Sequence, residues 1–208
     1  MFKLSRSSPR FMTEPEDTKM VPLLNEVRQA RAGNSAAFYM LFQYYTGRIC
    51  TYLARMVGNE EEGRDLAQET FLKAWRMLPT IQDETRFGPW LYRIATNLAI
   101  DHLRGRKPPA LFLSHDLPKS SSYLGTMEGR VAEAEHIQAA LAKVAPKYRA
   151  CLLLQLEGGF SQREIADLLS LSIKSVSVYV KRGCEQFRKA YEEIEQGSFS
   201  IQTGKGMI

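Results

Sequence analysis

The sequence predicts an all-α protein of two small helical domains joined by a flexible linker, with a helix-turn-helix in the second domain. Three observations predict it. Apolar residues recur at three- and four-residue steps from Leu23 to Lys107 and again from Val131, without the alternation of a strand. Between these regions lies a stretch rich in proline, serine and glycine, which has too little apolar surface to build a core. Near the far end, two short helical patterns flank a tight turn, Ser170-Leu171-Ser172.

Residues 1–22 are polar, carry Pro9, Pro15 and Pro22, and read as a disordered leader. The first domain is expected over 23–107. Leu24, Val27 and Ala30 mark its first helix, which Gly33-Asn34 interrupts. Ser35 is expected to cap the second helix, whose stripe runs through Ala37, Phe38, Leu41, Phe42, Tyr45, Ile49, Tyr52, Leu53 and Met56. Gly58-Asn59 closes it, and a third helix spans Glu60 to Met77. Leu66, Thr70, Phe71, Ala74 and Leu78 form the inner side of that helix. Asp65, Gln68, Glu69, Leu72, Lys73 and Arg76 form the outer side, an acidic and amide patch around a leucine. Pro79 to Arg86 reads as a polar loop. The fourth helix occupies Phe87–Lys107, with Pro89 suited to its first turn. Leu91, Ile94, Ala95, Leu98 and His102 form its buried stripe, opposite Arg93, Asn97, Ile100, Asp101 and Arg104. Arg104, Arg106 and Lys107 give it a basic end that suits the negative pole of the helix dipole, and Pro108-Pro109 stop it.

Residues 108–130 form the expected linker, with Leu111, Phe112 and Leu113 as apolar residues inside it. The second domain is expected over 131–195. Val131, Ala134, Ile137, Leu141 and Val144 mark one helix, and Pro146 begins another carrying Cys151, Leu152, Leu154 and Leu156. After Gly158-Gly159, Ser161 and Glu164 have the spacing of a capping box, and Ile165, Ala166, Leu168 and Leu169 follow on the buried side. Ser172 is placed to cap the last helix, in which Ile173, Val176, Val180 and Phe187 point inward with Cys184 between the last two. Lys174, Ser175, Ser177, Val178 and Lys181 remain outside. In a helix-turn-helix the first residues of the second helix enter the major groove, which puts Lys181 and Arg182 nearer the phosphates. Residues 196–208 read as a frayed tail.

Composition narrows the function class. Twenty-eight Lys and Arg against 23 Asp and Glu give a net charge of +5, a mild excess that fits a nucleic-acid partner. Cys50, Cys151 and Cys184 lie far apart with no metal-ligand or disulfide spacing and are expected to be buried free thiols. His102, His115 and His136 have no cysteine or carboxylate at ligand or catalytic spacing, and no phosphate-cradling glycine loop occurs. No enzyme activity, metal or cofactor is therefore expected. The chain has no long apolar run and no signal-peptide pattern, so no membrane insertion and a cytoplasmic location are expected.

With these motifs in place, the sequence resembles bacterial RNA polymerase sigma factors of the extracytoplasmic-function type over nearly all of Ala37–Tyr191. Asp65–Trp75 (DLAQETFLKAW) resembles the helix that docks on the polymerase clamp, Trp90–Arg104 (WLYRIATNLAIDHLR) the minus-ten helix, and Phe160–Arg188 the minus-thirty-five helix-turn-helix. The resemblance implies core RNA polymerase and promoter DNA as partners, with an anti-sigma factor as separate regulator. It implies that Asp65, Gln68, Glu69, Leu72 and Lys73 meet the polymerase. Arg86, in the loop Ile81–Phe87, and Asn97 would meet a base flipped from the non-template strand, with Arg93, Arg104, Arg106 and Lys107 along the opened backbone. Lys174, Ser175, Ser177, Val178, Lys181 and Arg182 would meet the upstream element. Where members commonly carry a Gly-Thr pair and then a Lys-Ser-Arg run, this chain has Lys174-Ser175 and Ser177-Val178-Tyr179. Its linker is sparing in acid, with only Asp116 and Glu128. The competing expectation is a stand-alone helix-turn-helix repressor or activator, which would not require the acidic Asp65–Glu69 face.

Overall fold

The computed structural model describes residues 23–105 and 127–203, and all regular structure within them is helical. The helices are α1 (Leu23–Arg31), α2 (Ser35–Val57), α3 (Glu60–Met77), α4 (Phe87–Gly105), α5 (Met127–Lys143), α6 (Pro146–Leu156), α7 (Gln162–Leu169) and α8 (Ile173–Thr203). The leader 1–22, Arg106, Lys107, Leu111–Leu113 and residues 204–208 lie outside the described residues.

Local sequence sets each boundary. Asn34 caps α2 by accepting from the Ala36 and Ala37 N–H groups, so the cap falls one residue before the expected Ser35. Gly58 ends α2 with φ +85°, where a Cβ would be strained, and Asn59 immediately caps α3. This two-residue hinge folds α3 back on α2. The two helices cross at Gly63, where a Cβ would stand 2.6 Å from the Ala54 backbone. Leu41, Ile49, Leu53, Phe71, Ala74 and Leu91 fill the space between α2, α3 and α4. Inside it the Tyr52 and Thr96 hydroxyls share a 2.7 Å hydrogen bond, and His102 meets Glu62 at 2.9 Å. The expected loop between α3 and α4 holds two short 3-10 turns, Leu78–Thr80 and Glu84–Arg86.

The second region departs from expectation at its edges. α5 begins at Met127, before the expected Val131. α8 continues through Gly197 to Thr203 instead of fraying from 196, since a lone glycine costs about 1 kcal/mol and does not by itself end a helix. The capping box at Ser161 forms with both of its bonds, and Ser172 accepts from the Ser175 N–H at 3.0 Å. Ser170 closes α7 in the left-handed region at φ +54°, and this tightens the turn between the two helices. Leu156, expected inside, is 70% exposed at the end of α6, and Ile173 stands half-exposed at the start of α8. Ala134 is exposed. Among the thiols only Cys151 is buried; Cys50 is half-buried and Cys184 exposed.

The two regions are also packed together, which the linker did not foretell. α4 touches α6 and α7 as well as α2 and α3, and the Phe160 ring packs on Tyr92, which is buried. Arg149 crosses the junction at 4% exposure, and burial lowers its pKa to about 10.

Candidate nucleic-acid and partner-binding faces

The outer side of α3 presents Asp65, Gln68, Glu69, Leu72 and Lys73 to solvent, with Leu72 at 53% exposure. Three glutamates in the first turn of α3 meet the positive end of the helix, so an acidic face begins at its N-terminus. Beside it the α2–α3 crossing leaves an open apolar groove lined by Phe38, Phe42, Phe71, Leu72 and Trp75. The Phe38 and Trp75 rings lie 4.8 Å apart, and Tyr39 and Met40 stand exposed nearby. The reading of α3 named Leu72 for this face and missed Phe38 and Phe42 of α2. Their signal is an α2 stripe carrying more aromatic rings at its start than one core-facing side can bury.

On α4, Arg93, Asn97 and Arg104 are exposed along one side, with Asp101 between them holding Arg104 at 3.0 Å. The start of that helix is fixed from below. Phe87 is buried against Tyr45, and Gly88 lets the Tyr45 hydroxyl approach to where a Cβ would stand at 3.1 Å. The preceding turn is pinned at both ends. Asp83 accepts from the Thr85 N–H at 3.0 Å, and Glu84 is held by Arg31 at 2.7 Å and by Arg28. The hydroxyl of Thr85 and the guanidinium of Arg31 lower the pKa values of Asp83 and Glu84 respectively. Arg86 is not grouped with Arg93 and Asn97: its guanidinium reaches Asp167 of α7 at 3.0 Å. Arg106 and Lys107 fall outside the described residues.

The helix-turn-helix offers a third face. Lys174, Ser177, Val178, Lys181 and Arg182 are exposed along the first turns of α8. Ser175 is half-buried, and its hydroxyl meets that of Ser172 at 2.8 Å. Lys181 has Glu185 one turn on at 3.9 Å, and Arg182 donates to the Tyr148 hydroxyl at 3.1 Å while lying over that ring. Arg182 is thus anchored on α6, whereas Lys174 stands clear at the tip. Gly183 lets α8 approach the Tyr148 carbonyl, where a Cβ would stand at 3.1 Å. Among the described residues there is no cluster able to hold a metal ion and no helix long and apolar enough to cross a membrane.

Two family models match the chain, Sigma-70 region 2 over residues 41–108 and Sigma-70 region 4 over residues 134–187. The RNA polymerase sigma factor CarQ of Myxococcus xanthus is 32% identical over 165 residues, covering 79% of this chain and 95% of the relative. The ECF RNA polymerase sigma factor SigW of Bacillus subtilis is 29% identical over 182 residues, covering 81% and 96%. In fold, the chain is similar to CnrH in complex with the cytosolic domain of CnrY, with a TM-score of 0.62 at 24% identity over 82% of this chain and 97% of that one.

Proposed function

Since the chain belongs to the extracytoplasmic-function sigma factors of RNA polymerase and directs transcription initiation, we propose how its three faces divide that work. The α3 face docks core polymerase. Asp65, Gln68 and Glu69 meet basic groups of the enzyme, Lys73 sits at the margin, and Leu72 with the adjoining aromatic groove supplies apolar contact. The α4 face takes the opened minus-ten strand. Arg93 and Arg104, with Arg106 and Lys107 beyond them, neutralise phosphates, and Asn97 offers an amide to a base edge. Arg86 and the pinned loop before α4 shape the place for a flipped base. Unstacking a base costs a few kcal/mol, and a rigid pocket offsets that loss. The α8 face reads the upstream element through Lys174, Ser175, Ser177 and Val178, while Lys181 and Arg182 hold phosphates.

The observation that carries this reading is the pair of separate exposed basic helix faces, on α4 and α8, in one chain with an acidic, apolar-edged third face on α3. A stand-alone repressor would leave the α3 face and its groove without a partner. Similar folds are seen in RpoE of Bartonella quintana, bound to the anti-sigma factor NepR, and in CnrH, bound to CnrY. A separate regulator of that kind is the control expected for this chain, and its work is cytoplasmic. Run-off transcription with the native core enzyme tests the reading. The full chain should confer initiation at a defined start, and Asp65→Lys should reduce polymerase affinity by setting like charge against the clamp. No specific initiation by the wild-type chain would sink it.

A further inference from the structure

Helix α1 precedes the stretch 41–108 that matches Sigma-70 region 2, yet it holds the turn in front of α4. Val27 and Ala30 bury one side of α1, which packs on α2 and touches both 3-10 turns. Arg28 and Arg31, in the last turn of α1, converge on a single carboxylate. Arg31 Nη1 meets Glu84 Oε1 at 2.7 Å, and Arg28 Nε meets Glu84 Oε2 at 3.5 Å. With each oxygen taken by a different arginine, the carboxylate is fixed in rotation as well as in place.

The rest of the turn is constrained locally. Ile81 and Phe87 are buried on either side of it. Asp83 accepts from the N–H and the hydroxyl of Thr85, and its carbonyl accepts from the Arg86 N–H at 3.1 Å. These bonds set the shape of the turn. Glu84 sets its position against α1, and Gln82, Thr85 and Arg86 are left exposed on either side of that residue.

Ion pairs this close to solvent add little to fold stability, and the apolar side of α1 already holds that helix. Their effect is on order. A turn that must be ordered when a base arrives loses part of the binding energy to that ordering. We propose that Arg28 and Arg31 are positioning residues for base discrimination: by fastening Glu84 they hold the turn in the form that accepts a flipped base, without touching DNA themselves. The proposal rests on the reading that this turn and the start of α4 take that base. A loose turn re-forms around a wrong base, whereas a fixed one leaves the polar edge of that base unpaired. Phosphate contacts through Arg93 and Arg104 carry no such information.

The test compares holoenzymes assembled from the wild-type chain, from Arg28→Gln with Arg31→Gln, and from Arg28→Lys with Arg31→Lys. The probe is the labelled non-template strand of the minus-ten element from the promoter found by run-off transcription, in its native sequence and with each base replaced in turn. Fluorescence anisotropy gives the ratio of native to replaced affinity. In the glutamine variant that ratio should fall about three- to tenfold at one position, the range two exposed ion pairs supply, and hold its wild-type value at the others. The lysine variant should keep most of the discrimination at every position. In the free full chain, hydrogen exchange at the Arg86 and Phe87 amides, which bond within the turn, should quicken in the glutamine variant while α2 and α3 stay unchanged. Unchanged ratios at every position, an equal fall at all of them, or unchanged exchange at those two amides would overturn the proposal. A wild-type holoenzyme that discriminates at no position would instead remove the base-binding reading itself, and the proposal with it.

Discussion

Gly63 lies where α3 comes closest to the Ala54 backbone of α2. With no Cβ it lets α3 lie directly on the Ala54 backbone, and that spacing determines how deeply Leu66, Phe71 and Leu91 interlock. Gly63→Ala puts a methyl group 2.6 Å from main-chain atoms that cannot swing aside. It should cost about 1–3 kcal/mol by overpacking, read as a fall in the urea midpoint at unchanged slope. Thr96 acts on the same scale: its hydroxyl joins α4 to Tyr52 of α2 where no water reaches. In the sequence Gly63 is one small residue in a charged stretch, and nothing local says which helix will cross there. Asn34 and Ser35 pose a similar ambiguity. Both are good caps, and only the backbone path shows that the asparagine oxygen reaches the free N–H groups.

At the level of helices, the capping box of α7 links sequence to stability most directly. Glu164 accepts from the Ser161 hydroxyl and N–H, and these bonds lower its pKa. A lowered folded pKa means the charged form is favoured by folding, so this stabilisation is full above the ordinary glutamate range. It is lost as pH falls through that range towards the lowered folded value. Ser161→Ala should cost about 0.5–2 kcal/mol at neutral pH, and the difference from wild type should shrink in acid; melting curves between neutrality and acid check this. The two DNA faces predict separable defects. Asn97→Ala should weaken promoter opening by about 1–3 kcal/mol while sparing polymerase affinity, whereas Lys174→Ala should reduce protection of the upstream element alone in footprints. Equal loss at both elements in either variant would remove that assignment. Helix existence, the α2–α3 junction and the helix-turn-helix were legible because periodicity and caps are written within a few residues. The contact of α4 with the second region was not, because Tyr92 meets Phe160, a ring more than sixty residues away.

For the whole molecule, the sequence suggested two domains on a loose tether, and the structure brings them into contact through Arg149, Gln138 and the Glu157–Asp167 corner. Long-range contacts of this kind leave little trace in local pattern: Arg149 looks like any surface arginine near a helix start until Met56 arrives from another domain. The candidate faces were more readable than the junction, since exposed polar residues need only a helix phase to be assigned. The length of α8 has its own consequence. Thirty-one residues at 1.5 Å each make a rod about 46 Å long whose first turns carry Lys174 and Ser177. Such a rod acts as a lever: a few degrees of tilt at its DNA-facing tip displaces the opposite end by several ångströms, so a reporter fused there would register how the upstream grip seats itself.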